Sequence, residues 1–281
     1  TANGDAYTFV PTPISSSAIK LQIEGATNAT QVWRINEATK AITKCSSQLT
    51  DGTLFAIATN GKDRYVIVNT DANFATPTLV GKVENQNLHA HGAVHMVIIV
   101  PESGIFDAEA KRLAEAHELY SKLNVEVVRQ DQIFNEFGSG TPDATALRRY
   151  MKMLYDRAES EGDMPRYLLL FGDGAFDNRM ITSPWKSHSP KDYLLVFEQN
   201  DGYDTQSENV IGDIVSYPSD DYFGLLDDGE GNNLKTEKVD LGIGRFVCNN
   251  KTNAKTLVDK SIAYLQNKNS GSWKNRIVMI G

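Results

Sequence analysis

Cysteine is almost absent: Cys45 and Cys248 are the only two in 281 residues. Two thiols cannot build a disulfide framework or a cysteine-rich zinc site. They fall in segments of different character, which argues against a bridge between them. Missing too is any apolar run near the roughly 20 residues that span a bilayer as a helix. Mean hydropathy is −0.36. Positive charge is in deficit, with 28 Lys and Arg against 36 Asp and Glu, a net charge of −8. Such a surface has no general attraction for phosphate backbones, so nucleic acid is excluded as a primary partner. No G-x-G-x-x-G opens a helix and no P-loop occurs, so a phosphate cradle has no support. The G-x-G of GIGRF sits inside a strand pattern and lacks the third glycine. No internal repeat or low-complexity run is present, which leaves out collagens and coiled coils.

What is there suits an ordinary folded protein. Hydrophobic residues make up 41% and charged residues 23%. At roughly 100–200 residues per domain, the length favours two domains. Up to about residue 90 the grammar is β. AIKLQIEG, TQVWRIN, GTLFAIAT and DRYVIVNT alternate apolar with polar positions and are rich in β-branched and aromatic types. Turn clusters such as NGDA, GATNAT, TDG and TNGKD separate them. Short strands with frequent turns predict an all-β, sandwich-like domain over 1–92.

From about residue 93 the grammar changes. AVHMVIIVP is a continuous apolar run, as in a strand buried on both faces of a parallel sheet. FDAEAKRLAEAHELYSKL has helical spacing, with Leu113, Ala116, Leu119 and Tyr120 near one face. NVEVVRQ reads as a second strand, followed by the short DQIFNEF segment. Thr141-Pro142-Asp143 is a helix start, and the helix runs through ALRRYMKMLYDRAES. PRYLLLFGD is a third buried strand. KDYLLVFEQ and VDLGIGRF follow as strands, then a helix over TNAKTLVDKSIAYLQN and a terminal strand, RIVMIG. This order predicts a parallel α/β sheet over 93–281, with strands at 94–100, 124–129, 167–172, 240–247 and 276–280. An apolar strand at the very end, and a start without Met or an apolar leader, suggest a piece of a longer protein.

In parallel sheets the loops beyond the carboxyl ends of the strands form the ligand crevice. FGDGAFDN puts Asp173 and Asp177 on such a loop, where they could bind a cation or simply organise the turn. PSDDYFGLLDDGEGNN carries Asp220, Asp221, Asp227, Asp228 and Glu230 on a Gly-rich loop. Clustered oxygens suit calcium, although the spacing is not that of an EF-hand. The two loops are expected to lie together, and Asp173, Asp177, Asp220, Asp221, Asp227 and Asp228 are the candidate calcium ligands. LHAHGAVH places His89, His91 and His95 close together, but no Cys or carboxylate nearby completes a ligand set, so a linker is the plainer reading. Nothing sets a histidine beside Cys248, so no catalytic residue is assigned.

YLLLFGDGAFDNR, YPSDDYFGLLDD, VDLGIGRFVCNNKTNAKTLVDKSIAYLQN and WKNRIVMIG, in that order, resemble the gingipain family of cysteine peptidases. VHMVIIVPE and FNEFGSGTPDATALRRYMKMLYDRA are closest to its PorU-like branch, the sortases of the type IX secretion system. The resemblance covers roughly residues 93–281 and implies a caspase-like fold. It implies cleavage of peptide bonds in a protein or peptide substrate, through a Cys nucleophile and a His base, with no required cofactor. In the family the His lies in a Gly-His-Gly turn and the Cys follows a later strand. This sequence has no Gly-His-Gly, so no position here takes those roles, and the 281 residues are expected to be inactive alone. The resemblance further implies removal of C-terminal sorting signals from secreted cargo. It also implies outer-membrane secretion partners and an extracellular or outer-membrane location in a Gram-negative bacterium. Two rival readings are a non-catalytic, calcium-stabilised adhesion module and an independent Rossmann-like enzyme binding a small anion at the Asp173 loop.

Overall fold

The computed structural model describes residues 6–11, 18–58, 62–79, 81–199, 217–234, 236–268 and 270–279. The chain divides into two compact units, Thr1–Val83 and Glu84–Gly281. The NGDA turn and the last two residues of RIVMIG lie partly or wholly outside the described residues.

The first unit is a pair of antiparallel sheets. Its strands are β1 (Ala6–Phe9), β2 (Ile19–Glu24), β3 (Thr30–Ile35), β4 (Ile42–Lys44), β5 (Ser47–Thr50), β6 (Thr53–Ala58) and β7 (Arg64–Asn69). One sheet has the order β1-β7-β3-β4 and the other β2-β6-β5. Alternation decides what is buried: Leu54, Ala56 and Ala58 of β6 point inward, as do Tyr65 and Ile67 of β7. These residues share one core with Ile23 and Val32, so the two sheets face each other as a sandwich. Between β5 and β6, Asp51 and Gly52 both take positive φ, 45° and 74°. That is the two-residue turn whose twist suits a hairpin, and Thr50 pairs directly with Thr53 across it.

The second unit is a three-layer α/β/α sandwich. Its strands are β8 (Met96–Val100), β9 (Val125–Arg129), β10 (Tyr167–Phe171), β11 (Phe197–Gln199), β12 (Tyr217–Ser219) and β13 (Gly242–Phe246). Its helices are α1 (Asp107–Ser121), α2 (Gln130–Phe137), α3 (Ala144–Asp156) and α4 (Lys251–Leu265). Four strands form a parallel sheet in the order β13-β10-β8-β9. Every residue of β8 is buried. Met96, Ile98 and Val100 face α1 and α4, while Val97 and Ile99 face α2 and α3. A strand with two apolar faces needs a helical layer on each, and the sequence supplies both.

Three segments depart from expectation. Residues 84–92, read as the end of the first domain, belong to the second unit. Glu136 of α2 is the reason: its carboxylate accepts from the Gln86 amide (2.8 Å), the Leu88 N–H (2.7 Å) and the His89 N–H (3.2 Å), and pairs with the His89 ring (2.6 Å). The second departure is KDYLLVFEQ, of which only Phe197–Gln199 is a strand, paired antiparallel with β12. Over Tyr193–Val196, Leu194 makes a single parallel bridge to Gly174, its N–H donating to Asp173 O (2.9 Å), and side chains take several of the other backbone groups. Gln130 donates to Tyr193 O (2.7 Å) and accepts from Leu195 N (3.1 Å), and Asn178 does the same for Val196 O and N (3.1 Å each). The third is Arg276–Met279, which pairs with no strand among the described residues. Ile277, Val278 and Met279 are 85%, 71% and 91% exposed. Apolar composition marks a segment able to pair, but a strand exists only with a neighbour.

The Glu136 clamp makes a prediction. Burial opposes ionisation, but the Leu88 N–H and the Gln86 and His89 donors outweigh it and hold the carboxyl at about 2, against an ordinary 4.5. A depressed pKa contributes stability that is complete above about pH 4.5 and lost as pH falls towards 2. After allowance for solvent screening we expect Glu136→Gln to cost about 1–2 kcal/mol at pH 7. Urea unfolding at pH 7, 4 and 3 checks this, and the gap between wild type and variant should narrow as pH falls.

Candidate functional site

The parallel strands deliver their following loops to one edge of the sheet, where ligands of such folds bind. The loop after β10 must pass very close to Val196. A Cβ at Gly174 would sit 2.4 Å from a Val196 methyl, so glycine is required there. The loop is fixed by its backbone: Asp173 N–H donates to Cys248 O (3.0 Å), and Asp173 O accepts from Leu194 N (2.9 Å). A cavity of about 610 Å³ opens beside it, with Phe134, Ala175, Met180, Leu194, Val196 and Phe197 among its walls.

The two acidic loops do come together, through a guanidinium. Arg245 of β13 donates to both carboxylate oxygens of Asp220 (2.9 and 2.7 Å) and to Gly172 O (3.2 Å). The Arg245 side chain is 12% exposed and that of Asp220 29%, so the pair is largely shielded from water. The other candidate ligands are dispersed. Asp173 accepts from the Gly174 N–H (2.9 Å). Asp177 accepts from the N–H groups of Thr182 (2.6 Å) and Arg179 (3.3 Å), which hold its carboxyl below the usual range, the Thr182 N–H foremost. Asp221 opens a 3-10 turn. Asp227 accepts from the Tyr155 hydroxyl (2.9 Å), and Asp228 pairs with Lys152 (2.9 Å).

The Gly-rich acidic loop is laced to α3. Arg148 donates to Leu225 O (2.6 Å) and Glu230 O (2.8 Å), and Lys152 donates to Leu226 O (3.0 Å). With Tyr155 these residues stand at i, i+4 and i+7, one face of the helix. Gly231, at φ 94°, lets the chain pass under the Arg148 guanidinium, 2.9 Å from where a Cβ would be. The carbonyls that a calcium loop turns toward its ion are here spent on protein cations. One trio of carboxylates among the described residues converges to within 4.8 Å: Asp227, Glu230 and Asp240. Only Asp227 belongs to the expected set, and it and Asp240 already have protein donors, Tyr155 and the Leu226 N–H (2.7 Å).

The histidines serve structure. His89 holds Glu136 and stacks on Phe137, with ring centroids 4.5 Å apart. His91 meets the Tyr150 hydroxyl at 2.8 Å. His95 Nδ1 accepts from Asn124 N (2.9 Å), so its Nε2 carries the proton donated to Gly162 O (2.8 Å). His117 contacts Ser121 (3.3 Å), and His188 contacts Tyr193 (3.0 Å). Cys248 is 2% exposed, and burial, with Asp173 assisting, pushes its thiol up to about 11.

Sequence reading missed Arg245, Gln130, Asn178 and the basic face of α3. The last had a signal: Arg148, Lys152 and Tyr155 flank the apolar stripe of Leu147, Tyr150, Met151 and Leu154.

A parallel sheet covered on both faces by helices, preceded by an antiparallel sandwich, is consistent with a caspase-like domain and its β-rich forerunner. Residues 89–281 match the model of peptidase family C25. The chain belongs to that family, the gingipain family of cysteine peptidases. It is similar to the crystal structure of dimeric latent PorU from Porphyromonas gingivalis, at 32% identity and a TM-score of 0.72. That match covers 92% of this chain, which spans 24% of the PorU chain. No curated protein matches the sequence.

Arg245 is the residue whose loss is expected to cost most here. Arg245→Met leaves Asp220 and Gly172 O without their donor and should destabilise by about 2 kcal/mol. Arg245→Lys should recover only part of it, because an ammonium cannot grip both carboxylate oxygens in the same way. Denaturant midpoints of the two variants check the order.

Proposed function

We propose that this chain is the N-terminal portion of a gingipain-type cysteine peptidase of the PorU-like sortase branch. Its substrates are then secreted proteins whose C-terminal sorting signals are removed at the outer-membrane surface of a Gram-negative bacterium, alongside secretion-system partners. No helix among the described residues is long and apolar enough to cross a membrane. The observation carrying the reading of these 281 residues is the state of Cys248. Thiol catalysis needs a thiolate with an imidazole in reach. Cys248 is buried and high in pKa, and all five histidines have partners elsewhere. We therefore assign this portion a scaffolding role and place catalysis in residues outside it, with no cofactor needed for the chemistry. The rival adhesion module needs oxygens free for calcium, and Arg148, Lys152 and Arg245 already occupy many of them.

Incubating the 281-residue chain with a broad panel of fluorogenic peptides should give no turnover above a Cys248→Ala control. Turnover that the substitution abolishes would overturn the scaffolding assignment. For the sortase role, disrupting the gene in its host should leave the C-terminal signal on secreted cargo, read by mass spectrometry. Normally trimmed cargo would refute it.

A further inference from the structure

We draw no further inference here: the strongest candidate, the groove of about 510 Å³ between the last turn of α1 and the edge strand β13, where Gly242 and Gly244 leave the strand bare beside Tyr167, is an unpartnered apolar face, and nothing in the structure shows what covers it.

Discussion

Burial of β8 and β10 on both faces is the constraint from which the second unit follows. A strand whose every side chain is apolar cannot leave either face to water. It therefore demands α1 and α4 on one side and α2 and α3 on the other. Helices in those places force each strand to run the same way and each following loop to emerge at the same edge. The cavity, the Asp173 loop and the contacts of Cys248 are consequences of that single requirement.

At that edge regular structure gives out, and side chains take over from the backbone. Gln130 and Asn178 stand in for neighbouring strands along Tyr193–Val196. Arg245 and the basic face of α3 perform a related task for the acidic segments. In each case a carbonyl or carboxylate that would otherwise be partly desolvated without a partner receives a donor. The distribution of these donors explains why carboxylates so dense in the sequence are so scattered in space.

The fold was legible because its signals are periodic. Continuous apolar runs marked β8 and β10, alternation marked β6 and β7, and the Thr141-Pro142-Asp143 start marked α3. Periodicity says nothing of partners, which is why Arg276–Met279 reads as a strand yet pairs with none among the described residues. The acidic loops were legible as charged, but their counterions were not. Arg245 lies 25 positions from Asp220, and Arg148 lies 77 from Leu225. No local pattern announces contacts of that range; they are set by which loops the sheet brings to a common edge.

The handling of sulfur has a further consequence. Burial raises the pKa of Cys45 as well as that of Cys248. Both therefore rest as protonated thiols at neutral pH, and the thiolate is the form that attacks disulfides and oxidants. Neither needs a bridge to hold its unit together, since each unit has an apolar core of its own. The apolar core of each unit thus holds without a disulfide, and burial keeps both sulfurs in their less reactive, protonated form.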